Sequence, residues 1–227
     1  MRLLALETAT LAGGAALLDD GRLIGESRLN IALTHSERLM AVVDRLLQDC
    51  GWDATSLDAL AVSIGPGSFT GLRVGAATAK GLALALEIEV APVPTLDALA
   101  ATLPFADAPV CAILAARRDE VYCSLYRWTG AAMAREWDYL ALPPAEAAAR
   151  LEAPVIVLGD GVAACRPHLG RLGAGLREAD PVHSVPSPAV VGALGHAMLA
   201  AGGGIPAEWL APLYLRPSEA ELRARHA

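Results

Sequence analysis

The segment that most restricts the fold is a strand that ends in glycine and runs straight into a helix. Residues 57–64 are an apolar run of strand length, and they deliver into Gly65-Pro66-Gly67-Ser68-Phe69-Thr70-Gly71. Residues 73–86 follow, rich in alanine and leucine and free of proline, which favours a helix. A buried strand feeding a helix at once belongs to an α/β architecture, in which helices cover the faces of a sheet.

The rest of the chain fits that class. Residues 3–7, 15–18 and 23–29 read as three strands, with a hairpin signal at Asp19-Asp20-Gly21 between the last two. Thr34 and Glu37 have the spacing of a capping box, in which side-chain oxygens satisfy the free N–H groups of a helix start. The helix they open carries Leu39, Val42, Val43, Leu46 and Leu47 on one face, and Gly51 stops it. After the glycine turn and its helix come a strand at 90–93 and a short helix from Thr95 that ends before Pro104. The plan then restarts. Strands at 110–114, 120–128 and 133–140 precede a helix at 143–151 and a strand at 155–158. Gly159-Asp160-Gly161 opens another turn-to-helix step, and Ser187-Pro188 starts a long helix to about residue 201. The architecture is duplicated although the sequence is not. It divides the chain into lobes at 1–103 and 104–227 and leaves open which lobe the last helix joins.

Composition narrows the function. The chain has 227 residues, 54% of them apolar, with only 4% aromatic, so the core is aliphatic. A chain of this length buries enough surface to fold without disulfide or metal staples. Its four cysteines form no C-x-x-C pair, and the first residues lack a secretory leader, so reduced thiols in a cytoplasmic protein are expected. The apolar stretch 189–205 is interrupted by glycines and His196, which points to a packed helix and away from a membrane span. Net charge is −7 with Lys80 the one lysine, a balance that argues against autonomous nucleic-acid binding.

The glycine turn has two readings. Glycine lets backbone approach a ligand, and the N–H groups of the following helix face an anion. Ser68, Thr70 and Arg73 would add hydroxyl donors and a charge. The spacing is neither G-x-x-x-x-G-K-[ST] nor G-x-G-x-x-G, so a tight turn capped by Ser68 or Thr70 is the simpler reading. Gly75 and Gly81 each cost about 1 kcal/mol inside a helix. Close approach of another backbone would offset this: the sheet beneath, the Leu39 helix or another chain. Glu7 and Thr8 end the first strand, where a carboxylate either holds magnesium beside a phosphate or is a plain surface group. No two histidines lie four apart, and no G-x-S-x-G elbow occurs. His35 sits in a helix first turn, and Arg117-Arg118-Asp119-Glu120 reads as a charged hairpin turn.

Several of these segments together resemble one family. The stretch 64–73, His35-Ser36-Glu37-Arg38-Leu39, the stretch 117–122, Gly159-Asp160-Gly161 and Pro212-Leu213-Tyr214-Leu215-Arg216 look like the TsaB (YeaZ) family, in order along nearly the whole chain. The resemblance implies two tandem ribonuclease-H-like lobes of the actin and hexokinase type. It implies a non-catalytic subunit that binds and stabilises TsaD, with the ATPase TsaE, in making N6-threonylcarbamoyladenosine at position 37 of tRNAs that read codons beginning with adenine. Contact with tRNA would be indirect, through the complex. The family pairs, as homodimer or with TsaD, through the two helices of the first lobe. Carried over, the interface residues are His35, Arg38, Leu39, Val42, Arg73, Val74, Ala76, Ala77 and Lys80. No resident cofactor is implied; ATP or ADP would sit at the interface with TsaD. The anion-site positions are Glu7, Thr8, Gly65, Gly67, Ser68, Thr70, Gly159 and Asp160. Two departures weaken that site: Glu7-Thr8-Ala9 stands where related lobes have Asp-Thr-Ser, and Ala115-Ala116 stands where the family commonly has Asp-Ala.

The alternatives are an autonomous ATP-dependent phosphotransferase of the same fold and, with less support, a peptidase. The latter lacks the H-x-x-x-H helix through which TsaD-like proteins coordinate metal. On the leading reading, a bulky charge at Ala76 or Ala77 is expected to harm TsaD association more than the fold.

Overall fold

A computed structural model describes residues 1–30, 35–117 and 119–216, with backbone alone for His35, Ser36 and Glu37. The first half contains β1 (Arg2–Glu7), β2 (Ala12–Asp19), β3 (Arg22–Asn30), α1 (His35–Asp49), β4 (Ala59–Gly65), α2 (Phe69–Leu86), β5 (Glu89–Pro94) and α3 (Thr95–Ala100). The second contains β6 (Val110–Ala115), β7 (Val121–Trp128), β8 (Met133–Arg135), β9 (Leu140–Leu142), α4 (Pro144–Ala149), β10 (Val155–Leu158), α5 (Val162–Cys165), β11 (Leu176–Glu178) and α6 (Pro188–Ala200). The Thr34–Glu37 capping box lies outside the described residues.

The two sheets have one topology. The first runs β3-β2-β1-β4-β5, antiparallel from β1 to β3 and parallel through β4 and β5. The second runs β8-β7-β6-β10-β11 with the same senses, so β6 corresponds to β1 and β10 to β4. This is the paired ribonuclease-H-like arrangement of the actin and hexokinase type.

Burial on both faces explains why β1 carries no alternation. Leu4 and Leu6 pack with Leu17, Leu60 and Val62 against Leu39, Val43 and Leu46 of α1 and Ala76, Ala79 and Ala83 of α2. Leu3 and Ala5 point the other way, with Leu18, Ala61 and Ala91, onto Val191 of α6. The long last helix therefore covers the first sheet. Its fit depends on missing side chains: a Cβ on Gly192 would stand 2.2 Å from Leu18, and one on Gly195 2.4 Å from Ala61. Ser187 caps α6, accepting from Val190 N–H, and its hydroxyl donates to Glu26 of β3 at 2.7 Å. Glu26 also accepts from Ala189 N–H, a favourable place for an anion at a helix start.

The exchange is reciprocal. α3, which follows the first sheet, lays Leu96, Leu99 and Ala100 on Val110, Ala112 and Tyr126 of the second. The other face of the second sheet packs Cys111, Ile113, Cys123 and Val157 against α4 and α5, Cys165 included. Burial raises all three thiols: Cys123 is pushed up to about 12, Cys165 to about 11 and Cys111 well above the ordinary thiol range. Cys50, at the end of α1, is half-buried.

Two sequence expectations are corrected. The strand at 133–140 is two short strands, β8 and β9, both paired to β7. The chain breaks between them because Glu136 and Trp137 both donate their N–H groups to Leu125 O. β11 was not foreseen, being three residues long. Among the described residues, no helix is long and apolar enough to cross a membrane.

Candidate functional site

A cleft of about 550 Å3 opens where β1 and β4 of one lobe and β6 and β10 of the other deliver their C-terminal ends. Its walls include Ala9, Thr10, Gly67, Ser68, Phe69 and Arg73 from the first lobe. Ala115, Arg117, Glu120, Tyr122 and Asp160 come from the second, and residues 213–216 close one side.

The glycine turn is built by contact with the end of β1. Gly65 has φ +119, a conformation suited to glycine, and Gly159 at the corresponding end of β10 has φ +107. Ser68 N–H donates to Ala9 O at 2.6 Å, and Thr8 Oγ1 donates to Gly71 O at 2.8 Å. A Cβ on Gly71 would stand 2.0 Å from Thr8 O, and one on Gly75 2.3 Å from Thr8 Oγ1. The cost of Gly75 is thus offset inside the chain. Gly81 differs: nothing lies within 4 Å of where its Cβ would stand. Ser68 is the N-cap of α2, accepting from Gly71 N–H at 3.3 Å; Thr70 is exposed in the first turn.

Glu7 is not the surface group its strand-end position suggests. It is fully buried, and so is Thr8; neither lines the cleft. Glu7 Oε1 accepts from Ala9 N–H at 2.5 Å, while Oε2 has no hydrogen-bond partner. Burial pushes the carboxyl up to about 7, against the opposing pull of the Ala9 N–H, the Ser63 hydroxyl and the Thr8 N–H. A carboxyl so enclosed does not fit a magnesium–phosphate group, which needs an ionised oxygen at the cleft wall. Asp160 does line the cleft, but accepts from Ala115 N–H at 2.8 Å, and burial raises its carboxyl above the usual range. Among the described residues, no three His, Cys, Asp or Glu side chains converge as a metal set. Of the eight anion positions named from the sequence, Gly67, Ser68 and Asp160 line the cleft, while Gly65 and Gly159 shape its strand ends from below.

The interface positions also divide. Leu39 and Ala76 point into the first core, 4% and 7% exposed. Arg38, Arg73 and Ala77 are exposed, and Val42, Val74 and Lys80 half-buried. The His35 side chain lies outside the described residues, as does Arg118. Lys80 Nζ donates to Glu208 O at 3.3 Å. Arg73 stacks over Phe69 at 4.0 Å, and its Nε donates to Tyr214 Oη at 3.2 Å.

Sequence reasoning missed Phe69, Glu120, Tyr214 and Arg216 as a connected group. Tyr214 stacks on Phe69 with ring centroids 5.3 Å apart, and Arg216 forms an ion pair with Glu120. It also missed Leu84 and Trp209, 61% and 72% exposed on and beside α2. The apolar period of α2 was the available signal for Leu84; none existed for Trp209.

Two like-built lobes facing a cleft at their strand ends define a protein of the actin and hexokinase class. The activator of 2-hydroxyisocaproyl-CoA dehydratase from Clostridium difficile shares that fold, with TM-score 0.52 at 7% identity, over 89% of this chain and 97% of its own. The family model for TsaD, tRNA N6-adenosine threonylcarbamoyltransferase, matches residues 30–166. YeaZ from Pseudomonas aeruginosa superposes with TM-score 0.82 at 31% identity, over 94% of this chain and 99% of that one. The tRNA threonylcarbamoyladenosine biosynthesis protein TsaB of Bacillus subtilis is 38% identical over 128 residues, 56% of each chain. The chain belongs to the TsaB (YeaZ) family, which the model match, the solved structure and the curated relatives support together. It spans about half the length of the curated relatives it matches.

Proposed function

We propose that this chain is a non-catalytic subunit in the biosynthesis of N6-threonylcarbamoyladenosine at position 37 of tRNAs reading codons that begin with adenine. In this reading it works in the cytoplasm, binds and stabilises TsaD in a complex with TsaE, and meets tRNA through that complex. The observation that carries the proposal is the outward side of α2. Ala77 is exposed, Leu84 is 61% exposed, and Gly81 between them has open space where a side chain would be. A mid-helix glycine costs about 1 kcal/mol and here returns nothing inside the chain. Close approach of another helix would supply the return. In this reading a homodimer forms through the same surface when TsaD is absent, and ATP or ADP, where present, sits at the interface with TsaD.

The test is co-purification with TsaD and TsaE. Gly81→Trp and Ala77→Glu are expected to abolish recovery of TsaD while leaving the melting temperature near that of the unaltered chain. Full recovery with either variant overturns the assignment of this surface. No recovery with the unaltered chain overturns the function.

The cleft favours one other reading, an autonomous phosphotransferase, because Ser68, Arg73 and Asp160 face it from both lobes. Calorimetry with ATP and magnesium separates the two: tight binding with turnover by the isolated chain supports the enzyme.

A further inference from the structure

We propose that residues 213–216 form a latch across the interlobe cleft, with the Glu120–Arg216 ion pair as its catch. The segment is fastened to the first lobe at two points. Leu213 N–H donates to Ile64 O at 2.7 Å, and Leu213 O lies 2.7 Å from where a Cβ would stand on Gly65. The glycine turn therefore admits this segment against the end of β4. Tyr214 then stacks on Phe69 and accepts from Arg73 at 3.2 Å, both residues belonging to the first turns of α2.

The third point is on the other lobe. The Arg216 guanidinium meets the carboxylate of Glu120, in the turn between β6 and β7. The Glu120 side chain is 13% exposed against 52% for Arg216, so the acid is held in place while the arginine retains access to water. A pair with one partner open to water contributes modestly and responds to salt. The lobes are also joined through α3, where Asp97 accepts from Tyr126 and Tyr139, residues that do not line the cleft. Releasing the catch thus leaves the α3 joint intact and frees the cleft walls to separate about it, the arrangement of a hinged closure.

Hydrogen exchange of the whole chain, read at the Leu213 amide, tests this. Arg216→Glu is expected to speed Leu213 exchange by about tenfold while the central amides of β1 and β4 keep their wild-type rates. The double variant Glu120→Arg/Arg216→Glu restores the slow rate. Raising salt to about 1 M speeds Leu213 exchange in the unaltered chain and leaves Arg216→Ala unaffected. An unchanged Leu213 rate in Arg216→Glu overturns the proposal. So does failure of the double variant to restore slow exchange, or acceleration of β1 and β4 to match Leu213.

Discussion

Tyr126 donates its hydroxyl to Asp97 Oδ1 at 2.7 Å, and that bond ties the second sheet to the helix that leaves the first. Tyr126 is 1% exposed, and Tyr139 adds its own hydroxyl to the same carboxylate at 2.9 Å. Burial, the Asp97 charge and the bond to it hold both phenols above their ordinary range. Hydrogen bonds to a charged partner contribute about 1.5–3 kcal/mol, and an orphaned buried group costs as much again. Tyr126→Phe is expected to lower stability by about 2 kcal/mol in urea denaturation, and Asp97→Ala to lower it by more, because two hydroxyls lose their acceptor.

Gly75 and Gly81 sit on one helix six residues apart and are expected to respond oppositely to alanine. At Gly81 the new methyl group meets open space, so the helix gains about 1 kcal/mol. At Gly75 it meets Thr8 Oγ1 and forces β1 away from α2, a loss of about 1–3 kcal/mol. Thermal melts of the two variants should therefore shift in opposite directions.

Ala76 and Ala77 are adjacent, yet only Ala77 is exposed. Ala76→Glu buries an unpaired carboxylate among Leu4, Leu6 and Val43 and is expected to cost several kcal/mol or prevent folding. Ala77→Glu should stay within about 0.5 kcal/mol of the unaltered chain. Denaturation of both distinguishes a core position from a surface one.

Glu7 links stability to pH. Its carboxyl binds a proton more tightly in the folded chain, near pH 7, than in the unfolded chain, near 4.5. The stability this contributes is complete below about pH 4.5 and is lost as pH rises through 7, a swing of about 3 kcal/mol. Glu7→Gln keeps an acceptor for the Ala9 N–H and removes the charge. Its stability relative to the unaltered chain should rise between pH 5 and pH 8, measured by urea denaturation at each pH. A constant difference would place the Glu7 carboxylate in water.

The duplicated plan was legible because strands such as 3–7 and 110–114 are apolar runs punctuated by glycine, a signal local in sequence. The lobe joined by α6 was not: a helix apolar on every side has no polar face from which to read its orientation. The burial of Ala76 was equally out of reach, since alanine is at home both in a core and on a surface. Glu7 was misread because strand ends are commonly wet, and nothing local announces that α2 covers this one. The latch was beyond reach: Arg73 and Tyr214 are 141 residues apart, and Glu120 and Arg216 are 96 apart. Only the folded chain brings them together.

The distribution of sulfur makes the two halves separately addressable by chemistry. Cys50 belongs to the α1 side and is partly open to solvent, whereas Cys111, Cys123 and Cys165 are sealed in the core of the second sheet. Thiols held in the protonated state by burial resist alkylation until the structure around them parts. A single-hit reagent therefore marks Cys50 in the native chain, and each later adduct dates an opening of the second lobe alone. Without any engineered label, the protein carries its own clock for one half and a reference mark on the other.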